Sequence, residues 1–205
     1  VTDLAEVHAD STIMTELKER TRQLHQETEA AVDLMGRLRS KESYADLLSR
    51  FYGLYAPLEQ KLGAIIGWES IGIDLSERIK SPLILKDLEV LGWSSSRLAQ
   101  IPVCQSLPNI TNLSEGLGCM YVLEGSTLGA QHIQRAVERQ LGLAADHGCS
   151  FFNGYGSEQT GAMWRDFGAS AVAYHEAHPA SGDVIISAAC DTFALIKEWI
   201  ACRAI

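Results

Sequence analysis

The chain has 205 residues, 46% hydrophobic and 21% charged, close to the globular average and long enough to bury one core, which excludes a disordered tail or a coiled-coil rod. Its formal charge of −9 argues against wholesale binding to nucleic acid or an anionic bilayer, since both reward a basic surface. No apolar run approaches the roughly 18 residues of a membrane span, and the acidic opening VTDLAEVHAD is unlike a secretory leader, so a soluble, cytoplasmic protein is expected.

Residues 1–10 read as a tail and residues 11–205 as one helical domain. Ser11 or Thr12 can cap a first helix with an inward face of Leu17, Thr21, Leu24, Thr28 and Val32. Ser40 opens a second, through Tyr44, Leu47, Leu48, Phe51, Tyr55, Leu58, Leu62 and Ile65, with Pro57 as an internal kink and Gly67 as its end. Ser81 followed by Pro82 predicts an N-cap with a first-position proline, and LILKDLEVLG a short helix closed by Gly92. Leu113 to Leu141 reads as one long helix despite its glycines. Ser157 to about His178, stopped by Pro179, and Asp183 to about Arg203 complete the set. Alternating strand patterns are absent, so the architecture is all-α. Cys104, Cys119, Cys149, Cys190 and Cys202 form no CxxC pair and read as buried thiols, not as disulfides or zinc ligands.

The first helix carries LKERTRQLHQETEAA, where His25 falls on the inward side while Arg20 and Glu27 lean outward. An inward histidine is more often hydrogen-bonded packing than a metal or heme ligand. Its neighbours favour the ligand. Lys18 and Arg22 precede it by seven and three residues, near its side of the helix at about 100° per residue, where they could pin a dianion. Glu29, four residues on, can take the proton of the other ring nitrogen and so fix the tautomer. An axial imidazole with cations for the propionates is what heme requires.

The long helix contains GLGCMYVLEGSTLGAQHI, with Gly116, Gly118, Gly125, Gly129 and Ala130 in an otherwise apolar run. Each interior glycine costs roughly 1 kcal/mol relative to alanine, so something must approach the backbone. Close helix packing is one explanation and a flat ligand lying against Gly125 and Gly129 is the other. Ser126 and Thr127 would then bring hydroxyls nearby. Glu124 should point about 100° away from Gly125. His132, seven residues after Gly125, is the competing candidate for the iron; His8, His147, His175 and His178 are not candidates.

Together these segments resemble the heme oxygenase family, with FYGLYAPLE, FFNGYG, Trp164 and Phe167 similar to its bacterial branch, over about Leu17 to Trp199. The resemblance implies a heme sandwiched between a proximal helix bearing His25, partnered by Glu29, and a distal helix with Gly125, Gly129 and Ala130 over the porphyrin. It implies that Lys18, Arg22 and Arg165 hold the propionates, that Tyr121 belongs to the cofactor-binding set, and that Gly125, Ser126 and Gly129 shape the chemistry. Heme would be both cofactor and substrate. The products would be biliverdin, carbon monoxide and ferrous iron, from dioxygen and electrons delivered by a ferredoxin, flavodoxin or reductase. Members similar in YVLEGSTLG include those supplying biliverdin to bacteriophytochromes. Ser126 stands where the mammalian pattern has an aspartate, so the carboxylate that orders a distal water chain there is missing, and backbone carbonyls freed at the glycine bend are expected to hold the water that delivers the proton. The rival from another class is a heme carrier or sensor without turnover. A di-iron bundle is disfavoured because no histidine has a glutamate three positions earlier, and a thiamine-degrading enzyme because no cysteine has a cation-rich setting.

Overall fold

A computed structural model describes residues 12–201. The expected tail over 1–10, His8, the alternative cap Ser11, Cys202 and the helix end near Arg203 lie outside the described residues. Eight α-helices follow in order: α1 (Ile13–Val32), α2 (Lys41–Gly63), α3 (Ser81–Val90), α4 (Ser95–Leu98), α5 (Leu113–Leu141), α6 (Ser150–Asn153), α7 (Gly156–Ala177) and α8 (Gly182–Ala201). Four short 3-10 turns join them, and no strand forms among the described residues, so the all-α expectation holds.

Thr12 caps α1 by accepting from Thr15 N, and Ile13, Leu17, Thr21, Thr28 and Val32 are its buried stripe. Ser40 and Ser43 form a reciprocal capping box on α2, which continues through Pro57. Two expected boundaries need correction. Helix α2 stops at Gly63 and not at Gly67: Ala64 closes it through bonds to Gln60, Lys61 and Leu62, and Ile65 is buried beyond the helix. Helix α3 begins one residue early, with Lys80 at its N-cap and Ser81 already helical. The cap comes from another helix, because Glu59 of α2 accepts from Lys80 N at 2.7 Å and Ser81 N at 3.2 Å. The short helices α4 and α6 carry too few residues to leave a periodic signal in the sequence.

Helices α1 and α5 both pack along α8 more than on each other, and α7 packs on α5. Helix α8 can serve as the common support because Ile185, Ile186, Ala188, Ala189, Thr192 and Ile200 are buried on several faces. In the first half of α5 the glycines are packing devices. A Cβ at Gly118 would strike the Ile185 carbonyl, and one at Gly116 would come within 2.8 Å of the Trp68 ring. No helix among the described residues is long and apolar enough to cross a membrane.

Candidate active-site cavity

Because α1 and α5 are each held by α8, a space opens between them, a cavity of about 590 Å³ floored by Phe193 and Ile196. His25, Lys18, Arg22 and Glu29 line it from α1. His25 is not packed in the core, contrary to the expectation of an inward histidine. Its side chain is 54% exposed and meets Phe193 edge-on at 5.6 Å, because its helix face looks onto the cavity and not onto close-packed residues. Glu29 Oε2 lies 3.6 Å from His25 Nδ1, beside that nitrogen but too long for a hydrogen bond. Arg20 and Glu27 turn outward as expected, to Asp183 at 3.1 Å and Lys197 at 2.8 Å. Lys18 and Arg22 have no ion-pair partner among the described residues.

The opposite wall is α5. Tyr121, Gly125, Ser126, Gly129 and Ala130 all line the cavity. A Cβ at Gly129 would meet nothing within 4 Å, and one at Gly125 would meet only the Trp164 ring at 3.6 Å. These two glycines therefore do not serve helix packing; they leave bare backbone on the cavity. Ser126 Oγ donates to Leu123 O at 2.7 Å and lies 3.2 Å from the hydroxyl of Tyr55 on α2. Burial raises the Tyr55 and Tyr121 hydroxyls above the ordinary tyrosine range, with Ser126 and Thr21 respectively opposing.

Glu124 turns away from the cavity into the protein, as the helical angle required. Its carboxylate bonds Arg78 Nη1 and Lys80 Nζ at 2.6 Å each and accepts from the Tyr155 hydroxyl at 2.8 Å. The sequence gives no sign of this network. Arg78 and Lys80 lie in a stretch that reads only as a loop end, 44 to 46 positions from Glu124. Tyr55, Phe193 and Ile196 read as ordinary core positions, and nothing in their periodicity marks a cavity wall.

One expected participant, Arg165, and the rival candidate for the iron, His132, are placed elsewhere. Arg165 is exposed on α7 and does not line the cavity, since it is Trp164, about 100° away around the helix, that faces it. His132 is exposed and is not part of the wall. Among the described residues no cluster of three or more His, Cys, Asp or Glu could hold a bare metal ion. The described cysteines are free, and burial pushes the Cys119 and Cys149 thiols up to about 12.

The residues present fit a flat, apolar ligand carrying a metal and acidic substituents: an accessible imidazole, two unpaired cations and a cradle that a Cβ at Gly129 would fill. Comparison with known proteins agrees. The profile described as "Heme oxygenase" matches residues 11–201. A curated heme oxygenase of Xanthomonas campestris pv. campestris (strain 8004) is 31% identical over 150 residues, covering 72% of this chain and 82% of that protein. The fold is similar to that of the heme oxygenase of Neisseria meningitidis in its NO- and CO-bound forms, with a TM-score of 0.79 and 20% identity over 93% of this chain and 91% of the other. It is also similar to heme oxygenase-1 of the cyanobacterium Synechocystis sp. PCC6803 in complex with heme, with a TM-score of 0.71 and 17% identity over the same shares. In sequence profile, curated kinship and helical architecture alike, this chain belongs to the heme oxygenase family.

Proposed function

We propose that this heme oxygenase holds heme in the α1/α5 cavity, with His25 on the iron and the macrocycle against Gly125 and Gly129, and converts it to biliverdin, carbon monoxide and ferrous iron. The carrying observation is the pairing of walls. An accessible imidazole on α1 and side-chain-free backbone on α5 bound one cavity of about 590 Å³, within the roughly 300–1,000 Å³ of small-molecule and cofactor sites.

When bound, heme supplies both the iron at which dioxygen is reduced and the porphyrin that is oxidised. His25 offers an imidazole ligand, and Glu29 beside Nδ1 leaves Nε2 for the metal. Lys18 and Arg22, unpaired on the cavity lining, would hold the propionates and so set how the ring is presented. Phe193, Ile196 and Val122 exclude bulk water from the walls. Ser126 faces the cavity with an acceptor lone pair, suited to holding a water that carries the proton.

The electrons come from a reduced ferredoxin, flavodoxin or reductase, as the family resemblance implies, and a bacteriophytochrome is the expected acceptor of the biliverdin, a reading that rests on the resemblance of YVLEGSTLG. A cytoplasmic setting suits such donors and the free thiols. The test is reconstitution with heme followed by a reductant in air. Loss of the Soret band with rising biliverdin absorbance is expected, and a heme spectrum that persists would make the chain a carrier or sensor.

A further inference from the structure

We propose that Glu124 is a positioning residue, which pins the glycine stretch of α5 at the height the macrocycle meets. The inference rests on heme lying against Gly125 and Gly129, as argued above. It begins from an asymmetry along α5. The first half is locked by close contact, Gly118 against the backbone of α8 and Gly116 against Trp68. Past Thr127 the next fully buried positions are Ala136 and Val137, while Leu128, Gly129, His132 and Arg135 are exposed. Between them only the partly buried Ala130 and Ile133 pack against the core, so close contact sets the height of that backbone less firmly than in the first half.

The same stretch is also weakened from within. Two glycines enlarge its conformational freedom. Ser126 Oγ and Thr127 Oγ1 donate to the carbonyls of Leu123 and Glu124 at 2.7 and 2.6 Å, an attachment that bends helices and competes with their ladder. A stretch so built needs an outside anchor, and Glu124 supplies it from the residue immediately before Gly125.

The anchor gathers three segments onto one carboxylate whose side chain is 2% exposed. Arg78 reaches it from the end of a 3-10 turn, Lys80 from the N-cap of α3 and Tyr155 from the N-cap of α7. Lys80 Nζ has no proton to spare, bonding Glu124 Oε1, Arg78 O and the Tyr155 hydroxyl at 2.6, 3.0 and 3.1 Å. Arg78 Nη1 also reaches Met163 O at 3.2 Å. Both cations pair with Glu124, while Glu59 accepts from the backbone N–H groups of Lys80 and Ser81 and feels the Lys80 charge. Buried ion pairs are weak sources of stability compared with apolar residues of the same volume. What this one offers instead is directional attachment, and Lys80 carries it to the cavity, which it lines together with Tyr55.

The test uses the heme complex of the full chain. The double variant E124Q/K80M removes one charge of each sign, so the net charge of the cluster is unchanged, and the glutamine can still accept from Arg78. We expect a heme-free unfolding midpoint close to the parent's, retained heme binding, at least tenfold tighter imidazole binding to the ferric complex and a changed biliverdin isomer composition. Imidazole reports clearance above the iron, which a purely structural loss would not alter. Parental imidazole affinity and isomer composition in the folded double variant would overturn the proposal. If that variant does not fold, Tyr155→Phe removes one donor without changing charge; imidazole binding should then tighten about threefold, and no change overturns the proposal. A parent that fails to bind heme would sink the site reading and the pin with it. Because the imidazole measurement needs no turnover, a parent that binds heme without making biliverdin would refute only the oxygenase reading.

Discussion

The buried hydroxyl of Tyr55 donates to Ser126 Oγ across 3.2 Å, since the single proton of Ser126 is already given to Leu123 O at 2.7 Å. Ser126 therefore meets the cavity as an acceptor. A residue that orients a water is more replaceable than one that hands over its own proton. Ser126→Ala should keep most single-turnover biliverdin formation, losing about tenfold at most, or roughly 1.4 kcal/mol in the barrier. The same change strands the Tyr55 hydroxyl and should cost about 1–3 kcal/mol in urea unfolding, much of it recovered in Tyr55→Phe/Ser126→Ala. A folded Ser126→Ala protein that makes no biliverdin would show the serine hydroxyl to be an essential part of the relay.

His25→Ala should bind heme weakly, lack the iron–histidine stretch in the resonance Raman spectrum and lose nearly all turnover. The exposed ring on the cavity wall is the only imidazole there among the described residues. Persistence of the stretch would reassign the ligand to another histidine.

The two kinds of glycine in α5 should respond oppositely to alanine. Gly129→Ala meets nothing within 4 Å, so the heme-free protein should gain up to about 1 kcal/mol from helix propensity, while the new methyl weakens heme binding. Gly118→Ala must displace the Ile185 carbonyl, and overpacking of that kind costs about 1–3 kcal/mol. Thermal unfolding with and without heme separates the cases. Equal effects at both positions would mean that Gly129 too is a packing residue.

Glu59 of α2, buried against the start of α3, has its carboxyl raised above the ordinary 4.5, chiefly by burial and against the bonds from Ser81 and Lys80. The folded protein then keeps this proton to higher pH than the unfolded chain. Between about 4.5 and the raised value the folded state binds more protons, so this group's contribution to stability falls as pH rises. Glu59→Gln cannot titrate, and the stability of the parent minus that of the variant should decline across that window before levelling. Parallel curves in urea unfolding at stepped pH would contradict it.

The sequence by itself determined the six longer helices, apart from some of their ends, and the two that line the cavity, because a stripe such as Leu17, Thr21, Thr28 and Val32 or a cap such as Ser40 acts within a few residues of chain. It also singled out His25, Lys18, Arg22, Glu29 and the glycines of α5, since unusual residue types at helical spacing are visible without a fold. Only the tertiary structure decided which glycines are which. Gly118 and Gly129 look alike in the chain, and the difference is what lies opposite: the backbone of α8 for one, open cavity for the other. The same holds for Arg165, where one step of about 100° puts Trp164 and not the guanidinium toward the cavity. Glu59 capping α3, Tyr55 meeting Ser126 and the gathering of Arg78, Lys80 and Tyr155 on Glu124 join positions 21 to 71 residues apart. Contacts of that separation leave no periodic trace, because their partners are chosen by how the helices pack and not by neighbours along the chain.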